Sequence, residues 1–292
     1  MLDEQLTSFA YYRNAVERGW DPSGIDLSED VQELVRLHKD EPGVAALLKG
    51  TLAKFGAGEE AVTEDLAPLA VVLERTEDQM FVTTQMYDEA KHTEFFDRYW
   101  REVVNVAEDR AGFGKTSPRE DRWFPEEYDE LFEREEHAMH RLLEDDSRRT
   151  RAEAFCHYHM TVEGVLAQTG YWWLTENFGE GGVAHLPGLV EGVSRIRSDE
   201  GRHVGFGMKK LEEYIEEGMD PSPIDSTVNP LLGLVQSSLR NAERVELDPE
   251  VLVVGREGVL GYAAEKHSER LRRIKRVDAE VPEAEEMSRV SD

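Results

Sequence analysis

Glutamates stand where a core-facing helix should carry leucine. Leu48, Leu52, Phe55, Glu59, Val62, Leu66, Leu69 and Leu73 recur at alternating steps of four and three, and Glu59 holds one of those interior positions. A second stretch, from about Glu77 to Val106, carries Phe81, Gln85, Glu89, His92, Phe96, Tyr99 and Val103 on one face. From about Leu189 to Glu217, Ile196, Glu200, His203 and Met208 fall together. A buried carboxylate is rare unless it is paired or bound to a metal. Helices that carry one on the apolar face are therefore expected to converge and share a cation.

The histidines sharpen this. Glu89-Ala-Lys-His92 and Glu200-Gly-Arg-His203 repeat one pattern, and of nine histidines only these two have a glutamate three positions earlier. Residues three apart on a helix point the same way, so each pair presents one carboxylate and one imidazole together. Each pair also follows an interior glutamate candidate on an earlier stretch, Glu59 or Glu163. Glu163 lies at the margin of the stripe Phe155, His159, Val162, Leu166 and Trp173. Glu, Glu-x-x-His, Glu, Glu-x-x-His on four helices is the ligand set of a dinuclear carboxylate site in a helical bundle. Mixed oxygen and nitrogen donors suit iron and manganese, and four carboxylates offset two divalent ions. Incidental Glu-His pairs on surface helices would match the bare motif; the apolar context argues against them.

Nearby residues are read more plainly. His159 is expected to be a hydrogen-bonded core histidine, and the register prefers Glu59 to Glu60. Glu64 and Asp65 read as solvent-facing or as supports for the ligands. Asp199 could hold the ring of a ligating histidine. The aromatics Phe81, Phe95, Phe96, Tyr99, Trp100, Tyr171 and Trp172 read as core, with an apolar ligand lining as a second use.

The protein reads as helical almost throughout, with no competing strand pattern, so the expected class is all-α. Pro68 should kink or split the first long stretch. Residues 107–121 read as a loop, followed by a helix at about 125–145, a long one from Arg149 to Asn177, and two more at about 229–246 and 249–276. One domain is expected over 1–280, with 281–292 a frayed acidic tail. The net charge of -28, from 62 acidic against 34 basic residues, disfavours nucleic acid and anionic membranes and fits an acidic, halophilic-type surface. The single cysteine, Cys156, excludes an intramolecular disulfide and a thiolate cluster, as a reducing cytoplasm would. The amino terminus lacks a signal-peptide core, and no window reaches the roughly 18 unbroken apolar residues of a membrane span.

The strings Gly58-Glu-Glu-Ala-Val-Thr63, Asp88-Glu-Ala-Lys-His92, Val162-Glu-Gly164 and Asp199-Glu-Gly-Arg-His203 resemble the ligand-binding oxidase branch of the ribonucleotide reductase small-subunit family. Trp20-Asp-Pro22, followed by Ile25-Asp26, resembles that family's amino-terminal region and places Trp20 beside the site. The resemblance implies a ferritin-like bundle in which Glu59, Glu89 and His92 bind one metal and Glu163, Glu200 and His203 the other, Glu89 bridging. It implies a manganese–iron centre, or two irons, that activates O2. It further implies an ether cross-link between Val62 and Tyr158, a long-chain fatty acid near the metals, and a homodimer. Helix arithmetic places Val62 near the metals and is neutral on Tyr158. The alternatives are a reductase small subunit of the Phe-substituted manganese–iron type and a metal store. Phe96 replaces the radical tyrosine of the common reductase class. The last tyrosine is Tyr262, which leaves none in the final thirty residues for radical transfer.

Overall fold

The computed structural model describes residues 2–241 and 251–275. Twelve α-helices make up most of the described residues, among which no strand occurs. The first two, α1 (Thr7–Glu17) and α2 (Ser28–Asp40), pack against the long helices that follow. The centre is built from α3 (Pro42–Asp65), α5 (Thr76–Tyr99), α10 (Pro187–Glu216) and the joined stretch of α8 (Arg148–Phe155), a π-helix at Cys156–Ala167 and α9 (Gln168–Phe178).

Local chemistry explains the boundaries. Pro42 and Pro187 open α3 and α10, where a proline's missing N–H costs nothing. Pro68 splits the first stretch as expected: α3 ends at Asp65 and a short α4 (Ala67–Val72) restarts with that proline in its first turn. Beyond α5 a π turn at Trp100–Val104 leads straight into α6 (Asn105–Ala111), so the expected loop begins only at Gly112, whose φ of 81° closes the helix. Ahead of α7 (Glu126–His140), a 3-10 turn covers Asp121–Trp123. The stretch expected as one α-helix from Arg149 is instead interrupted by the twelve-residue π segment. The expected helix at 229–246 begins earlier: α11 (Ser222–Asn241) starts beside Pro223 and tolerates Pro230 inside. The last, α12, spans Arg256–Ile274. The acidic tail, 281–292, lies outside the described residues, as do 242–250.

Two apolar layers result. One gathers Phe81, Phe155, Phe206, Leu211 and Val235; the other gathers Leu34, Leu48, Phe95, Leu174 and Leu189. At roughly 1.5–3 kcal/mol per buried large side chain, these layers hold the bundle together. Between them each central helix crosses a polar level: Glu89 and His92 fall between Val82 and Phe95, and Glu200 and His203 between Ile196 and Val204. No described helix is long and apolar enough to cross a membrane.

Candidate metal centre

All six expected ligands meet at that level, and none is more than 5% exposed. Two overlapping groups form, Glu59, Glu89, His92 and Glu200 in one, and Glu89, Glu163, Glu200 and His203 in the other, each with donor atoms within 4.8 Å. Glu89 and Glu200 therefore belong to both groups, where the sequence suggested sharing by Glu89 alone. His92 Nδ1 lies 3.4 Å from Glu59 Oε2 and 3.2 Å from Glu89 Oε2. His203 Nδ1 lies 3.1 Å from Glu89 Oε1 and 3.2 Å from Glu163 Oε1 without hydrogen-bond geometry to either. Glu163 Oε2 and Glu200 Oε2 also have no hydrogen-bond partner among the described residues. Donor atoms that crowd together while several of them stay unbonded are arranged around a common point. This set fits a pair of hard, oxygen- and nitrogen-seeking ions.

The electrostatics agree. Burial raises the carboxyls of Glu59 and Glu200, and pushes that of Glu163 up to about 7. Burial would lower both imidazoles, yet the carboxylates around them hold His92 and His203 well above the ordinary histidine range. Negative charge this dense requires an offsetting cation.

The rings are fixed from behind by the opposite helix. His92 Nε2 on α5 is 3.2 Å from Asp199 Oδ2 on α10, and His203 Nε2 on α10 is 3.3 Å from Asp88 Oδ2 on α5. Lys91 and Arg202 each bind both aspartates, so two cations and two anions form a closed brace. Trp20 Nε1 donates to Asp199 Oδ2 at 2.7 Å, which puts Trp20 beside the site as expected. Motif spacing alone gives Asp88, Lys91 and Arg202 no role, although the repeat Asp-Glu-x-Lys/Arg-His at 88–92 and 199–203 displays all of them.

Other assignments resolve individually. Glu60 faces outward to Arg119 at 2.7 Å. His159 is a fully buried histidine, 3.3 Å from Gln85 Oε1, outside both ligand groups. Tyr171, read as core, donates to Glu59 Oε1 at 2.6 Å and stacks on Phe55. Gln85, one turn before Glu89, donates to Glu163 Oε1 at 2.9 Å; a polar residue on an apolar face was its only sequence signal. Tyr158 donates to Glu89 Oε1 at 2.9 Å, a contact that helix arithmetic left undecided. Val62 lines an apolar cavity of about 110 Å³ together with Glu59, Glu89, Glu163 and Glu200.

Known proteins share this fold. The family model for the ribonucleotide reductase small chain matches residues 5–232. Among solved structures, a tyrosine-to-phenylalanine variant of an R2-like ligand-binding oxidase with aerobically reconstituted Mn/Fe cofactor is 28% identical, and the match covers 93% of this protein and 94% of that one with a TM-score of 0.78. A second such variant and a glutamate-to-aspartate variant, at the same identity and coverage, give TM-scores of 0.82 and 0.81. The family match over most of the sequence, with a shared fold, leads to one conclusion: the chain belongs to the ribonucleotide reductase small-chain family.

Proposed function

We propose that this protein is an O2-dependent oxidase holding one manganese and one iron through Glu59, Glu89, His92, Glu163, Glu200 and His203. Glu89 and Glu200 would be shared between the ions, and two irons are the alternative filling. Support comes from the donor set and from solved relatives that carry a Mn/Fe cofactor. When bound, such a pair supplies a two-electron oxidation coupled to reduction of O2.

The observation that carries the oxidase reading is the Tyr158 hydroxyl on Glu89, with Val62 in the wall of the same cavity. In this reading one C–H bond of Val62 and the O–H bond of Tyr158 are lost and a C–O bond forms. The two electrons and two protons pass to O2. Gln85 sets the phenol's orientation, since its amide faces Tyr158 Oη at 3.3 Å and leaves the phenol proton directed at Glu89. Burial, with Glu163 and Glu89 beside it, holds the phenol well above the ordinary tyrosine range. Tyr158 thus keeps its proton until an electron leaves with it. The cavity extends from the carboxylates past Phe55 and Leu166 to Val259 and Leu260, a lining suited to a long apolar ligand such as a fatty acid.

Peptide mass mapping tests this after reconstitution with Mn²⁺ and Fe²⁺ and exposure to air. The peptides containing Val62 and Tyr158 should be fused and lighter by two hydrogens. Separate, unmodified peptides from protein shown to hold both metals would favour a reductase subunit, in which buried Phe96 leaves no phenol four residues after His92.

A further inference from the structure

A second group of ligand-type side chains lies outside the buried cluster, where α3 ends beside α7. Asp65, Glu136 and His140 each offer one donor atom, and the three atoms lie within 4.8 Å of one another. Asp65 Oδ1 is 3.5 Å from His140 Nε2, and His140 Nδ1 is 3.8 Å from Glu136 Oε1. Asp65 is buried, which removes the solvent-facing one of its two readings, whereas Glu136 and His140 are exposed. Beside them Glu135 is fully buried, and neither of its carboxylate oxygens has a hydrogen-bond partner among the described residues. After burial itself, the charge that acts most on Glu135 is Asp65.

The arrangement favours a bound positive charge, a proton on Glu135 or a cation. Asp65 is the last residue of α3, and Glu135 and Glu136 lie in the closing turns of α7. Helix C-termini carry negative partial charge, so three carboxylates gathered there repel both one another and the helix ends. Donors bound at about 2.1 Å to one ion sit at most about 4.2 Å apart, so small rotations of the two exposed side chains close the set. One imidazole with carboxylates suits manganese, ferrous iron or zinc better than calcium or magnesium.

We propose that Asp65, Glu136 and His140 bind one divalent transition-metal ion at the bundle surface. This outer site stands independently of the buried metal centre proposed above.

Anaerobic titration of the full-length protein with Mn²⁺ alone, with free ion followed by electron paramagnetic resonance, tests this. Wild type should take up three ions, the third most weakly. The double variant Glu136→Gln/His140→Ala, altered only at exposed positions, should take up two. Glu200→Ala should keep the outer ion. Wild-type uptake that stops at two, or a double variant that retains the third, overturns the outer site. Wild-type protein that binds one ion, abolished in the double variant, supports the outer site and removes the buried centre.

Discussion

The two halves of the metal centre are built on different kinds of helix. Glu89 and His92 ride on α5, a regular α-helix through this level, whereas Glu163 rides on the π-helix at Cys156–Ala167. On α5 a spacing of three residues is enough to aim both ligands. On the π segment, hydrogen bonds run from each residue to the fifth along and the turn widens, so residues five apart lie closer to one face than in an α-helix. Tyr158 and Glu163 are five apart, and Gln85 on α5 reaches both. In a regular α-helix the same two side chains would diverge by about 140°. A wider helix thus brings a phenol and a carboxylate to one point that an ordinary helix would separate.

The largest expected effect separates shared from terminal ligands. Glu200→Ala should remove both ions of the buried centre, because Glu200 belongs to both donor groups. Glu59→Ala should leave one of them. Metal analysis after desalting reads this directly, and full retention in Glu200→Ala would break the assignment.

Next comes the π segment. A Cβ on Gly164 would lie 2.5 Å from the carbonyl oxygen of His159, five residues earlier, and 2.9 Å from Arg270 Nε. Gly164→Ala should therefore cost about 3 kcal/mol in chemical denaturation, by forcing backbone apart. Ala90→Gly, on the exposed face of α5, should cost only about 1 kcal/mol through helix propensity. Equal costs would mean that the π geometry carries no special constraint.

Histidine chemistry sharpens the contrast. On α5, carboxylates hold His92 up, whereas on the π segment burial, with Arg134 nearby, lowers His157 to about 4. The folded protein thus resists protonating His157 while the unfolded one accepts a proton near pH 6.5. Stability from this residue is present above about pH 6.5 and declines as pH falls toward 4, by about 1 kcal/mol per unit given its partial exposure. His157→Asn should remove that slope. Parallel pH profiles for wild type and variant would refute it.

Much of this was legible beforehand. The convergence of six donor side chains, Val62 near them, Trp20 and Asp199 behind them, and the Pro68 break all follow from residue identity, regular helical spacing and the family resemblance of the motifs. Tyr158 and Tyr171 did not follow from spacing, since a spacing rule assumes one helix type and says nothing of where another helix's side chain ends. The inward turn of Asp65 was equally hidden, because burial at a helix end depends on what packs over it, here α7.

What the sequence by itself determined is the inventory of donor side chains and the helices that present it. Those depend on contacts within a few residues, where geometry is nearly invariant. Tertiary structure alone decided the sharing of Glu200, the crossed pairing of each histidine with the other helix's aspartate, and the meeting of Tyr158 with Glu89. Each of these joins residues far apart in the sequence. Their distances are set by how whole helices pack, and no local periodicity encodes that.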